Sequence, residues 1–212
     1  MDFGSLKVEV GRRLAEVQGR LFWTEAEIGE AVNLGLQELA DSTEFYEQHL
    51  DIELLNDRAY YDLRHVIGPD FLALRPAYNE QTNRWLIPST VRHLDAHDRR
   101  WERVTGEPQR IVLRGLWWLG LYPRVQADAG RIRQYYVALP PALVEDEDEP
   151  PIPEAFQEAL IDFGLADLFA IDGESAFALA AWARYLAGEA DLAAWVEHRA
   201  ADPMRHGFEG VT

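Results

Sequence analysis

The apolar residues of this chain follow a helical period at both ends and a strand period in the middle, and that double switch limits the folds open to it. Leu6, Val10, Leu14, Val17 and Leu21 recur in three- and four-residue steps, the stripe of an amphipathic helix over about Ser5–Arg20. A second helix has a sharper start. Thr24 and Glu27 form a Thr-x-x-Glu capping box, and Trp23 is placed to close on Ile28 as a hydrophobic staple. Ile28, Val32, Leu36 and Leu39 continue its stripe, which predicts a helix to about Gln48, antiparallel to the first.

From Asp51 the pattern breaks into short β-branched or aromatic runs bounded by Gly, Pro, Asn or Asp, the signature of strands. The runs are 60–63, 71–74, 84–87, 110–113, 117–122 and 132–137, and Arg114-Gly115 marks a tight hairpin between the fourth and fifth. Ser89 to Arg103 interrupts them as a short helix capped by Ser89 or Thr90, with Val91, Leu94 and Trp101 on one side. Helical spacing returns after Pro153, which suits a first helical position. Phe156, Leu160, Phe163, Ala166, Leu168 and Phe169 give a broad apolar face that ends at Asp172-Gly173. A last helix is expected from about Glu174 to Ala200 through Phe177, Ala181, Tyr185, Leu192 and Trp195, kinked near Gly188.

The expected fold class is α+β, a helical bundle formed by the N- and C-terminal segments with a β-rich insertion between them. The expected parts are helices at 1–50, the insertion with its short helix at 51–142, an acidic and proline-bearing linker at 143–152, helices at 153–200 and a flexible tail at 201–212. The linker reading rests on Glu145-Asp146-Glu147-Asp148-Glu149 before Pro150-Pro151, a self-repelling and solvated stretch.

Composition excludes several chemistries. The absence of cysteine removes disulfides, thiolate zinc sites and cysteine nucleophiles. Apolar runs stop far short of the ~20 residues of a membrane helix, and the first ten residues lack the basic start and apolar run of a signal peptide, so a cytoplasmic origin is expected. The net charge is −17 and uneven: ten acids and four bases in residues 1–50, eleven and thirteen in 51–140, sixteen and three in 141–212. Both helical parts therefore repel phosphate, and specific DNA binding is disfavoured.

Candidate sites are few. His93 and His97 stand four apart with Asp95 between them, yet no third metal ligand is indicated, so no metal is expected. No phosphate-cradling glycine loop and no nucleophile elbow are present, and no cofactor or catalytic residue is assigned. Trp117 and Trp118 are candidates for a subunit contact, with strand alternation sending one ring to the core and the other outward. The tail carries Met204, Arg205, His206, Phe208 and Val211, whose apolar members suit docking on a partner.

Taken in order, Phe22-Trp23-Thr24, Tyr61-Asp62-Leu63, Gly106-Glu107-Pro108, Leu121-Tyr122-Pro123, Tyr136-Val137-Ala138-Leu139-Pro140-Pro141 and Pro151-Ile152-Pro153-Glu154 resemble the head-to-tail adaptors of tailed bacteriophages. In place of an immediate proline, Tyr61-Asp62-Leu63 is followed by Arg64 and a detour to Pro69-Asp70-Phe71. The resemblance implies a non-enzymatic virion protein of the neck, assembled in the host cytoplasm. It implies a twelvefold homo-oligomeric ring under the portal protein, a tail or tail-completion protein as second partner, a free chain that is monomeric, and a tail segment that binds the portal. DNA would pass through without specific binding. Two other readings remain open: a carbohydrate-binding or hydrolytic tail component using Trp85, Trp117 or Trp118, and a monomeric interaction module.

Overall fold

The computed structural model describes residues 1–19, 22–64, 68, 70–115, 117–126 and 130–201. It is mixed α and β, with five α-helices and a seven-stranded sheet among those residues. The chain divides into two units, one made of Met1–Tyr46 together with the chain from Leu139 onward, the other of Glu47–Ala138.

In the first unit, α1 spans Phe3–Gln18 and starts two residues before the sequence pattern suggests, because the Asp2 carboxylate accepts the Ser5 N–H at 2.8 Å. It stops at Gly19, whose φ of 72° only glycine adopts cheaply, rather than at Arg20. Leu21, the last member of the expected stripe, lies outside the described residues. Helix α2, Glu25–Thr43, has both halves of the expected capping box: Thr24 accepts from the Glu27 N–H, and Glu27 accepts from the Thr24 N–H at 2.8 Å. The prediction of helix to Gln48 is corrected. Glu44 turns left-handed at φ 54° and ends α2, and Glu47–Glu53 forms strand β1. Within β1, Leu50 and Ile52 are buried between the exposed His49, Asp51 and Glu53, a period of two that outweighs a fading helical stripe.

Pro153 is also corrected. It precedes a 3-10 turn, Glu154–Phe156, with extended ψ of 143°, and α4 begins only at Glu158, running to Ile171. Helix α5, Ser175–Ala201, is continuous through Gly188. A Cβ at that position would lie 3.0 Å from the Ala159 Cβ, so the glycine permits close approach of α5 to α4 and is not the site of a break. Side chains from α1, α2, α4 and α5 share one core, with Leu6, Val10, Leu36, Leu160, Tyr185 and Leu192 essentially inaccessible.

The acidic run is exposed, as its charge requires, but it is also tied down. The Asp148 carboxylate accepts the N–H groups of Val144 and Glu145 at 2.7 and 2.9 Å. Carbonyls of Asp148 and Asp146 accept the N–H groups of Phe3 and Gly4, so the run caps the positive end of α1. Lys7 ion-pairs with Asp146 at 2.6 Å and with Glu25 at 2.7 Å.

In the second unit, the remaining strands are β2 (Tyr60–Asp62), β3 (Phe71–Asn79), β4 (Arg84–Ser89), β5 (Arg110–Arg114), β6 (Trp118–Tyr122) and β7 (Arg131–Ala138). Their order across the sheet is β1-β7-β3-β4-β5-β6-β2, with β4 and β5 parallel and every other pair antiparallel. The β5–β6 hairpin turns at Gly115, φ 64°. Between β4 and β5 lies α3, Val91–His97, capped by Thr90. Its Leu94 packs with Trp101 and Val112, and the Trp101 indole donates to Asp95 at 2.9 Å.

Candidate interaction surfaces

The tryptophan pair shows the expected alternation only in part. Trp117 is half-buried in the turn ahead of β6, Trp118 is exposed at the strand's start, and the inward position belongs to Leu119. The Arg64 guanidinium sits 5.6 Å from the Trp118 ring and pairs with Asp62 at 2.6 Å, leaving one face of the indole covered. The tail residues Met204, Arg205, His206, Phe208 and Val211 lie outside the described residues.

On the sheet, rings from four neighbouring strands form a row: His49 to Tyr135 at 5.8 Å, Tyr135 to Trp85 at 5.7 Å, and Trp85 to Tyr78 at 5.2 Å. The row follows from register, since His49 opposes Tyr135 and Tyr78 opposes Trp85. Trp85 remains substantially exposed. The acids nearest in register, Asp51 and Glu80, are both bound by Arg131 and Arg133, with Arg133 at 3.1 and 3.0 Å.

His93 and His97 are exposed on α3, and among the described residues no group of three metal-ligating side chains converges. No described helix is long and apolar enough to cross a membrane.

Titration behaviour reflects packing. Burial raises the Asp162 carboxyl, and the Arg184 guanidinium at 2.7 Å opposes that shift and holds α5 against α4. Burial beside Glu30 raises Asp167. Burial also raises the Tyr60 hydroxyl, which donates to Glu102, and Arg114 reaches both groups. Glu9 is held down at about 2 by hydrogen bonds from Arg12 and Arg13. Arg13 bridges Glu9 and Glu158 on the wall of a hollow that Asp2, Glu25, Asp146 and Glu147 also line, so its lining is predominantly acidic.

The feature that the motif reading missed is the outward face of α5. Leu179 is 69% exposed, Leu186 45% and Trp182 40%, with alanines between them. A signal for it exists in the sequence: from Ser175 to Gly188 the only charged residue is Arg184, and a helix that is apolar all round needs cover on both sides.

No curated protein matches this chain. A family model described as SU10 adaptor protein matches residues 1–207, and the motif series had already resembled a head-to-tail adaptor. The chain belongs to the SU10 adaptor protein family.

Proposed function

We propose that this protein assembles as a ring beneath the portal of a tailed bacteriophage, joins the DNA-filled head to the tail, and continues the conduit through which DNA leaves. The match of an adaptor family model to residues 1–207 carries this reading. In it, the helical unit is a bundle built from both chain ends into which the β-rich part, about 51–142, is inserted; the core shared by α1, α2, α4 and α5 supports that arrangement. The acidic run at 143–152 connects the parts. Twelve copies match the symmetry expected under a portal, the tail or a tail-completion protein binds the opposite side, and the assembled protein resides in the virion neck after assembly in the host cytoplasm.

The strongly acidic surface supports a conduit that does not retain DNA, because like charge opposes adhesion. The role is structural, with no cofactor and no catalytic residue. The segment with Met204, Arg205, His206, Phe208 and Val211 docks on portal subunits, and Trp117 and Trp118 serve a contact between subunits. Deleting Pro203–Thr212 tests the docking. Thermal stability should stay within a degree or two while portal binding is lost; a truncated chain that binds the portal as the full one does would contradict it.

A further inference from the structure

Residues 84–114 invert the charge of the chain. They hold seven arginines and four acids, a surplus of three positive charges in a total of −17, so everything outside them sums to −20. Arg84 and Arg114 answer Glu107 and Glu102. Arg92, Arg99, Arg100 and Arg103 are exposed and, among the described residues, hold no acid. Their scaffold is firm. Arg92 stands in the first turn of α3, and the chain beyond the helix folds back, the Trp101 indole donating to Asp95 at 2.9 Å while its ring packs with Leu94. Arg99 and Arg100 lead into the 3-10 turn Trp101–Arg103, and Arg103 closes it. Of the acids in this segment, Asp95 is engaged by that indole and Asp98 by the Arg100 N–H at 2.8 Å.

The complement to this patch lies on the same chain. Glu145, Glu147 and Glu149 are exposed and, among the described residues, hold no base. Their backbone is fixed by Asn33, which exchanges hydrogen bonds with the Leu143 backbone at 3.0 and 2.8 Å, and by the Asp146 and Asp148 carbonyls bound to the start of α1. Phosphate fits the arginines less well, because a body at −20 elsewhere repels a nucleic-acid backbone more than a surplus of three charges attracts it. Two surfaces of opposite sign at different places on one chain favour a head-to-tail contact, the kind that can close into a ring; either surface against its own copy would set like charges together. Exposed ion pairs are individually weak and screened by salt, so they do not hold dilute free chains together and act once copies are arrayed.

We infer that the arginines of α3 and the turn after it contact the Glu145–Glu149 run of a neighbouring copy. The inference rests on the ring reading above and adds to it the two surfaces and the head-to-tail sense of the contact. The absence of native cysteine gives a clean test. Arg103→Cys and Glu149→Cys are made singly and together, loaded on portal rings from the same genome, and treated with a short bismaleimide. The double variant should give a ladder of chain multiples, a mixture of the two single variants dimers only, and each single variant alone no copy-to-copy product. Dimers from a single variant alone, or no ladder on rings that carry the double variant, would overturn the inference. In the double variant, Arg99→Glu with Arg100→Glu, circular dichroism retained, should lower the ladder at least tenfold, and adding Glu145→Arg with Glu147→Arg should restore it. An unchanged ladder, or a loss that the swap fails to restore, would also overturn it, the second outcome pointing to the portal or DNA as the partner. If the unsubstituted chain fails to bind the portal, the adaptor reading fails, and the double variant at high concentration and low salt decides alone: a ladder supports the contact and its absence overturns it.

Discussion

The helical unit and the β unit bury their apolar residues by different means. In the first, contacts within each helix recur every three or four residues, and one core draws on α1, α2, α4 and α5. Its limits are set by local devices: Asp2 and Gly19 for α1, Thr24, Glu27 and Glu44 for α2, Gly173 after α4. In the second, each strand depends on neighbours far away in sequence, and β1 is held by β7 more than eighty positions on, through pairs such as Asp51 with Arg133. Disturbance of the helical unit should therefore act through lost volume and lost caps, and disturbance of the β unit through register and close approach.

The largest expected difference lies between a core leucine and a sheet-face ring. Leu160 is fully buried in the helical core, so Leu160→Ala should cost about 2–5 kcal/mol in urea unfolding. Trp85→Ala removes a half-exposed ring from the outer row and should cost about 1 kcal/mol. Equal costs would erase the contrast.

Two glycine substitutions sharpen it next. At Gly120 of β6 a Cβ would lie 2.7 Å from Val112 Cγ1 and 3.0 Å from the Tyr60 ring, so Gly120→Ala should destabilise by about 1–3 kcal/mol. At Gly164 of α4 the nearest atoms, on Val10, stand at 3.6 and 3.7 Å, an ordinary contact. Gly164→Ala should thus stabilise by about 0.5–1 kcal/mol through helix propensity. The same sign at both positions would mean that the two backbones are packed alike.

A smaller effect tests the helix start. Thr24→Ala should cost about 1 kcal/mol, since the Glu27 N–H loses its acceptor. An unchanged denaturation midpoint would move the start of α2 elsewhere.

The smallest is electrostatic. Glu9 is held at about 2 in the folded chain, below its ordinary value of 4.5, so its pairs with Arg12 and Arg13 contribute fully above that ordinary value and fade as pH falls towards 2. Glu9→Gln should lower Tm slightly above about pH 4.5, the pair being a surface one, and the difference should close as pH falls towards 2, so the variant's Tm varies less with pH over that range. A parallel shift of the whole curve would mean that Gln keeps or loses something other than charge.

The helical parts were the more legible in sequence because their signals are local. Thr24 and Glu27 announce a cap, and Ile28, Val32, Leu36 and Leu39 a stripe, without reference to distant residues. Even there, Thr43 to Gln48 misled, since the alternation of His49, Leu50, Asp51 and Ile52 begins a strand just where the stripe runs out. Six strands announced themselves through aromatic and β-branched runs, but their order did not. Pairing β7 between β1 and β3, and β5 parallel to β4, depends on contacts that no local window contains. The same holds for the acidic run. Its charge predicts exposure, whereas its grip on Phe3, Gly4 and Lys7 is visible only once α1 is folded beside it. The α5 face was present as an unbroken apolar stretch, and only solvent exposure separated its outward alanines and leucines from the inward Ala181, Tyr185 and Leu192.

Native mass spectrometry of the full chain, alone and then mixed with a portal ring from the same genome, addresses the central claim most directly. The account predicts a monomer that adds to the ring until each portal subunit carries about one copy. A chain that remains monomeric in both samples would contradict the adaptor role.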